Sequence, residues 1–297
     1  MLVFTADHAL AIADEAGVRL VRAGKPVWSD VGPSHKAVVT SRYLAAIPSG
    51  AGQHGLAIFE LATGKRTNVL KLGVQSIGSD GEAFVAQLGN EELDRITPPA
   101  TIQKLGTVPD DAMTSDSILT GPNQFAFATI NKLVVTDRKL KTTFTLDDDE
   151  VAVAGDTMAA GNDDHIAVFS IAKCVTKQMP CATSTWDLKN TGLTHAINGA
   201  AVKIDVDNDT MYYLDASGHW QAKLYVRELT ATAQTIFAIA ADGDVASLIA
   251  IDRKTGKRLW ATQLGPTGDS MAIEMRDTFI AAQVGSKVYV VDAAGAI

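Results

Sequence analysis

The sequence is short of cysteine, aromatic residues, surplus positive charge and long apolar runs, and each shortage removes a class of function. Cys174 and Cys181 are the only cysteines in 297 residues, too few for a disulfide framework and not at a zinc-binding spacing. In an extended strand they would stand roughly 23 Å apart, beyond disulfide reach. A bridge requires the segment between them to loop back; two free thiols are the alternative. Aromatic residues make up 6% of the chain and do not cluster, which gives little support to glycan or flat-ligand binding. Tyr212 and Tyr213 would alternate faces of a strand, so at most one faces solvent. A net charge of −8 and a pI near 5.2 argue against a nucleic-acid or anionic-membrane binder, which needs clustered Lys and Arg. No stretch approaches the roughly 18 apolar residues of a transmembrane helix, so no membrane insertion is expected. The N-terminus "MLVFTADHALAIADEAG" lacks a basic start, and Asp7 and Asp14 interrupt its apolar run, so it does not read as a secretory signal. The expected location is the cytoplasm, or a particle assembled there.

Recognisable catalytic signatures are also missing: there is no G-x-S-x-G, H-E-x-x-H, G-x-x-x-x-G-K-[ST] or C-x-x-C. Gly50, Gly52 and Gly55 spell G-x-G-x-x-G, but a dinucleotide cradle needs a helix after it. The following "LAIFELATG" alternates like a strand, so the stretch reads as a long hairpin loop with His54 at its tip. The six histidines are scattered; His8 and His165 each follow an aspartate in what read as equivalent hairpin turns. Asp205 to Asp209, "DVDND", opens like a calcium loop, but Thr210 stands where glycine is needed and Ala216 where glutamate is needed. No catalytic, cofactor-binding or metal-binding residue, and no cofactor, is expected.

What is present is a globular composition, 46% hydrophobic and 20% charged, and a repeat. Short apolar strands separated by turn residues fill the chain without a convincing helical period, so the fold is all-β. Segments opening near Lys36, Val74, Ala112, Glu150, Thr194, Ala231 and Asp269 recur about every 38 residues. Such a period of short strands is the signature of β-propeller blades. In each unit a first strand leads to a small apolar second strand, a tight turn, and a third strand ending at a turn: "AIADEAG", "IFELATG", "YYLDASG", "AIDRKTG", "VVDAAG".

The unit "TIFAIAADGDVASLIAIDRKTGKRLWATQLG" resembles a repeat of the PQQ-like and WD40-like β-propellers, with Asp252, the turn Thr255-Gly256-Lys257 and Trp260 on the outer strand. Trp28, Trp186 and Trp220 do not fall in a matching series, so regular tryptophan docking is not expected. The reading is a single domain, 1–297, with four-stranded blades. Seven blades plus an N-terminal hairpin and eight blades with one incomplete both fit, eight being preferred. The last unit stops after its third strand, so the N-terminal segment is expected to complete that sheet and close the ring.

In such a propeller the second-to-third turns and the inter-blade links open on one face, and the third-to-fourth turns on the other; this geometry follows from the resemblance. The first face collects Asp110, Asp111, Asp147, Asp148, Asp149, Asp163, Asp164, Asp207, Asp209, Asp242 and Asp244, with His54. Asp7, Glu91, Glu92 and Glu150 join them, while Lys65, Arg66, Arg138, Lys139, Lys141, Lys173, Lys177, Arg253, Lys254, Lys257 and Arg258 go to or near the other face. Charged turns are ordinary solvated turns on one reading and a partner-binding surface on the other. The expected function is non-catalytic: a protein–protein interaction scaffold or structural subunit of a larger assembly, for instance a viral particle or tail. The alternative is a propeller hydrolase, lyase or dehydrogenase with a metal or cofactor at the central channel.

Overall fold

Every strand pairs antiparallel with its sequence neighbour, which is the cheapest way to build sheets because each closure spans only a short loop. In the computed structural model, which describes residues 2–5, 9–14, 16–22, 25–31, 34–48, 55–70, 73–99, 101–112, 117–121, 123–176, 181–189, 192–268 and 270–293, the result is an all-β, eight-bladed propeller. Seven sheets have four strands in sequence order and the eighth has three. The first strands of blades 1 to 8 are Leu2–Phe4, Ser34–Val39, Val74–Ser79, Ser117–Thr120, Glu150–Ala154, Leu193–Ile197, Val226–Ala231 and Met271–Arg276.

Two compact units divide the chain, one of residues 1–129 and 133–145, the other of 130–132 and 146–297. In both, second strands such as Tyr43–Pro48, Phe84–Leu88 and Thr157–Asn162 are buried almost throughout. They are covered on both faces, so they read as continuous apolar runs rich in alanine. Fourth strands such as Ala182–Asp187 and Gly218–Lys223 alternate between half-buried and exposed residues. The core is a series of clusters between neighbouring sheets, for example Phe59 with Leu20 and Leu44 between blades 1 and 2, and Tyr213 with Ile236 and Ile249 between blades 6 and 7.

Several expectations change. Blade 1 is complete in itself: Leu2–Phe4 pairs with Leu10–Asp14, not with the last sheet. The hairpin is closed locally, Thr5 N–H donating to the Ala9 carbonyl at 2.8 Å and Ala9 N–H to Thr5 Oγ1 at 3.0 Å. Leu10–Asp14, read as a third strand, is therefore a second strand. The turn before it joins first to second strand, whereas Asn162 to His165 joins second to third; the two histidine turns are not equivalent, and Asp7 and His8 themselves lie outside the described residues. Blade 4 opens at Ser117, Ala112 ending a 3-10 turn, and blade 7 opens at Val226, with Ala231 at the end of its strand.

The tryptophans do dock in series. Trp28, Trp220 and Trp260 lie on fourth strands, and their indole N–H groups donate to the carbonyls of Leu61, Arg253 and Ala293 at 3.1, 2.9 and 3.2 Å, each 33 residues ahead. Each carbonyl begins the turn after a third strand of the next blade, so the ring caps that turn. Trp186 instead stacks on His219, centroids 4.1 Å apart.

The cysteines are bridged. A helix, Ile171–Val175, interrupts the third-to-fourth connection of blade 5 and turns the chain back, bringing the two Cα atoms within 4.9 Å in a Cys174–Cys181 disulfide. Asp156, at the first-to-second turn, holds the helix start: it accepts from Ala172 N–H at 2.8 Å and from Ser170 Oγ at 2.7 Å.

Candidate functional site

A meander sends alternate connections out at opposite strand ends, so in blades 5 to 7 the second-to-third turns and the inter-blade links leave at the same end. Here the end of blade 4's fourth strand carries Asp147, and the link into blade 5 and its second-to-third turn carry Asp149, Asp163 and Asp164, all exposed. Blade 6 adds Asp207 and Asp209, and blade 7 adds Asp242 and Asp244, also exposed. Asp209 adopts φ +47°. Asp205 is buried and turns inward, accepting from Asn208 N–H at 3.0 Å and Asn208 Nδ2 at 2.9 Å, so it shapes its turn and does not face a partner.

Asp148 differs from its neighbours. It is half-buried, accepts from Asp149 N–H at 2.9 Å, and lies 3.2 Å from His165 Nε2. It fastens the link to the turn and is a poor contact residue. Asp147 lies 3.5 Å from Lys132 Nζ. A cleft of about 470 Å³ opens beside His165, lined by Asp164, Asp187, Leu188 and Lys189. In the first unit, Asp110 and Asp111 are exposed on the 3-10 turn of the link to blade 4. His54 lies outside the described residues; Gly55 is followed directly by the strand Leu56–Glu60, which rules out the helix a dinucleotide cradle requires.

Apolar side chains share the acidic end of the second unit. Ile130, Leu193, Val206 and Val245 are 66%, 52%, 45% and 36% exposed, and the last three flank the aspartate turns or open a blade. At the opposite end of the same blades stand Lys173, Lys254, Lys257 and Arg258, all exposed. Arg253 is committed there: its guanidinium donates to Tyr213 Oη at 2.6 Å, the Thr232 carbonyl at 3.0 Å and the Asn198 carbonyl at 2.6 Å. Tyr213 is buried, which pushes its hydroxyl pKa up.

Sequence reasoning missed the titratable groups inside first and second strands. Burial pushes Glu274 up to about 7 and raises Glu228. His195 is lowered by burial, and its Nε2 has no partner among the described residues. Lys203, fully buried, donates to the Asn162 carbonyl at 2.5 Å. The one available signal was a charged residue inside an otherwise apolar strand, as in "AAVKID" and "MAIEMR". Among the described residues no three His, Cys, Asp or Glu side chains converge as a metal site. A second cleft, about 530 Å³, lies at the basic end of blades 5 to 7 and is walled by Ala154, Asp156, Ile197, Asn198 and Leu229 among others.

No family model and no curated protein matches the chain. Solved structures do. BamB from Moraxella catarrhalis superposes with a TM-score of 0.70 at 11% identity, covering 98% of this chain and 95% of its own. The dihydro-heme d1 dehydrogenase NirN, solved in complex with DHE, gives 0.68 at 12% identity over 90% and 66% of the two chains. Apo AztD from Citrobacter koseri gives 0.61 at 13% identity over 96% and 91%. At such identities the likeness shows the fold alone, a β-propeller.

Proposed function

We propose that this chain is a non-catalytic propeller that binds another protein, as a scaffold or as a structural subunit of a larger assembly. The observation that supports this is the exposed aspartates of blades 5 to 7 at the same strand ends as Ile130, Leu193, Val206 and Val245. Such a surface fits a partner presenting basic residues around an apolar contact: charge steers and orients the encounter, and apolar burial supplies affinity. The disulfide supports an oxidising compartment over the reducing cytoplasm, where bridges are rare.

The test is affinity capture from the native source at low and high salt, using the wild-type chain and a variant with Asp147, Asp149, Asp163 and Asp164 replaced by Asn. Asp148 is left intact because it holds its turn. The expected result is a defined partner retained at low salt and depleted by either high salt or the variant. Equal recovery in all arms removes the acidic end from the binding surface.

A further inference from the structure

The two ends of blades 5 to 7 differ in shape as well as in charge. At the acidic end apolar side chains stand out: Val206 and Val245 flank the aspartate turns of blades 6 and 7, and Leu193, 52% exposed, opens the first strand of blade 6. The basic end is hollow where the first strands finish. The cleft of about 530 Å³ there has apolar walls, Ala154, Ile197, Leu229 and Ala231. Leu193 and Ile197 are the two ends of one strand, so the protruding side chain and the hollow lie on one line along the strand direction.

The charges follow the same line. Blade 5 sets Asp163 and Asp164 against Lys173, and blade 7 sets Asp242 and Asp244 against Lys254, Lys257 and Arg258, all exposed. Leu259, 56% exposed, stands beside the last of these. Carboxylates at the basic end are taken up by their own turns and the helix start: Asp156 accepts from Ala172 N–H and Ser170 Oγ, Asp215 from Tyr213 Oη and Ser217 N–H, and Asp252 from Thr255 N–H and Oγ1. At the acidic end Lys189, Lys223 and Arg227 are exposed too, but Asp163, Asp164, Asp207, Asp209, Asp242 and Asp244 outnumber them.

A surface with protrusion and hollow, and negative and positive charge, at opposite ends of the same strands is complementary to itself by translation. The acidic end of one copy meets the basic end of the next. Such a contact is heterologous: it leaves a free end of each kind, so it repeats as a stack. Contact between two acidic ends would set carboxylate against carboxylate, which is disfavoured.

Resting on the acidic end as a protein-binding surface, we propose that its partner is a second copy of this chain. Copies stack head to tail through blades 5 to 7, Leu193 of one lying over the cleft of the next and the aspartate turns facing Lys173, Lys254 and Lys257.

Sedimentation velocity of the full chain over a concentration series is the test. At an ionic strength of about 0.01 M the wild type is expected to reach at least twice the monomer mass, and at about 1 M, where the Debye length is about 3 Å, to return to monomer. Two charge-reversed chains identify the ends: one carries Asp163→Lys, Asp242→Lys and Asp244→Lys, the other Lys173→Glu, Lys254→Glu and Lys257→Glu. Each reversal moves the net charge of −8 by six, to −2 and −14, so both chains stay negative and no overall attraction draws them together. Each alone should associate at least tenfold more weakly than the wild type, and an equal mixture should recover that loss. Leu193→Ser should weaken the wild-type stack at least tenfold. A wild type that is monomeric at low ionic strength overturns the proposal, and this arm decides if a reversed chain does not fold. A mixture of folded reversed chains that associates no better than either alone also overturns it, as does full association by Leu193→Ser. If the wild type is monomeric but capture still retains a partner that the Asp147, Asp149, Asp163 and Asp164 variant loses, the stack alone fails; equal capture in all arms as well removes the acidic end as a docking surface.

Discussion

At Gly64 the place a β-carbon would occupy already belongs to the Trp28 ring, and φ is +68°, in the left-handed region. Gly81 has φ +93° but nothing within 4 Å of that position. The pair separates two costs. Gly81→Ala should lose about 1 kcal/mol for backbone strain alone, whereas Gly64→Ala should lose about 3 kcal/mol because the docked indole must also move. Urea unfolding of both variants checks the difference; equal losses would mean that docking contributes nothing at this turn. Glu274 carries the second residue-scale expectation. Its folded pKa, raised to about 7 by burial from the ordinary 4.5, means the native state holds a proton that the unfolded state releases between those values. Stability from this group is therefore full below about pH 4.5 and declines as pH rises to about 7, after which the penalty is constant. Glu274→Gln should flatten that decline and be about 1–3 kcal/mol more stable than wild type at pH 8, measured by denaturant titration at pH 5 and pH 8.

The helix Ile171–Val175 and its bridge show why some elements were not legible in the sequence. The repeat pattern predicts a tight turn between third and fourth strands, and an extended chain keeps Cys174 and Cys181 apart. The insertion breaks the pattern, and its anchor, Asp156, lies on a different turn. The bridge closes a loop seven residues apart in sequence, worth about 2.5 kcal/mol by loop-closure entropy. Replacing both cysteines by serine should lower stability by up to that amount and speed amide exchange first at Ala172 and Lys173. Unchanged exchange there would mean that Asp156 alone holds the helix. The tryptophan series was missed for a different reason. Taking Leu10–Asp14 as a third strand shifted blade 1 by one strand and put Trp28 out of phase with Trp260, and Trp220 was set aside because it stands two residues after its turn glycine, Gly218, where Trp260 stands four after Gly256. The constant spacing of 33 residues to the accepting carbonyl was in the sequence, but it is visible only once the strands are counted correctly.

For the whole chain, the repeat was the legible feature, because every blade must bury its second strand on both faces and end its third at a turn, as "ELATG" and "DRKTG" do. The candidate site was less legible: residue types placed the aspartates on one set of turns, but not which of them, such as Asp148 and Asp205, are consumed by their own turns. That distinction predicts where charge acts on association. In the second unit the exposed aspartates 207, 209, 242 and 244 lie at one strand end and Lys173, Lys254 and Lys257 at the other. Since opposite charge raises encounter rates by about tenfold or more at low salt, replacing those four aspartates by asparagine should slow association of a polylysine probe by about that factor at low ionic strength, with little change in unfolding midpoint. Replacing the three lysines by glutamine removes positive charge from the far end and should leave the rate unchanged or slightly raised. Stopped-flow association over a salt series measures both. If the two variants shift the rate only in proportion to net charge, irrespective of which end was altered, then the fixed distribution of carboxylates on blades 6 and 7 does not orient the encounter, and the scaffold reading loses its electrostatic support.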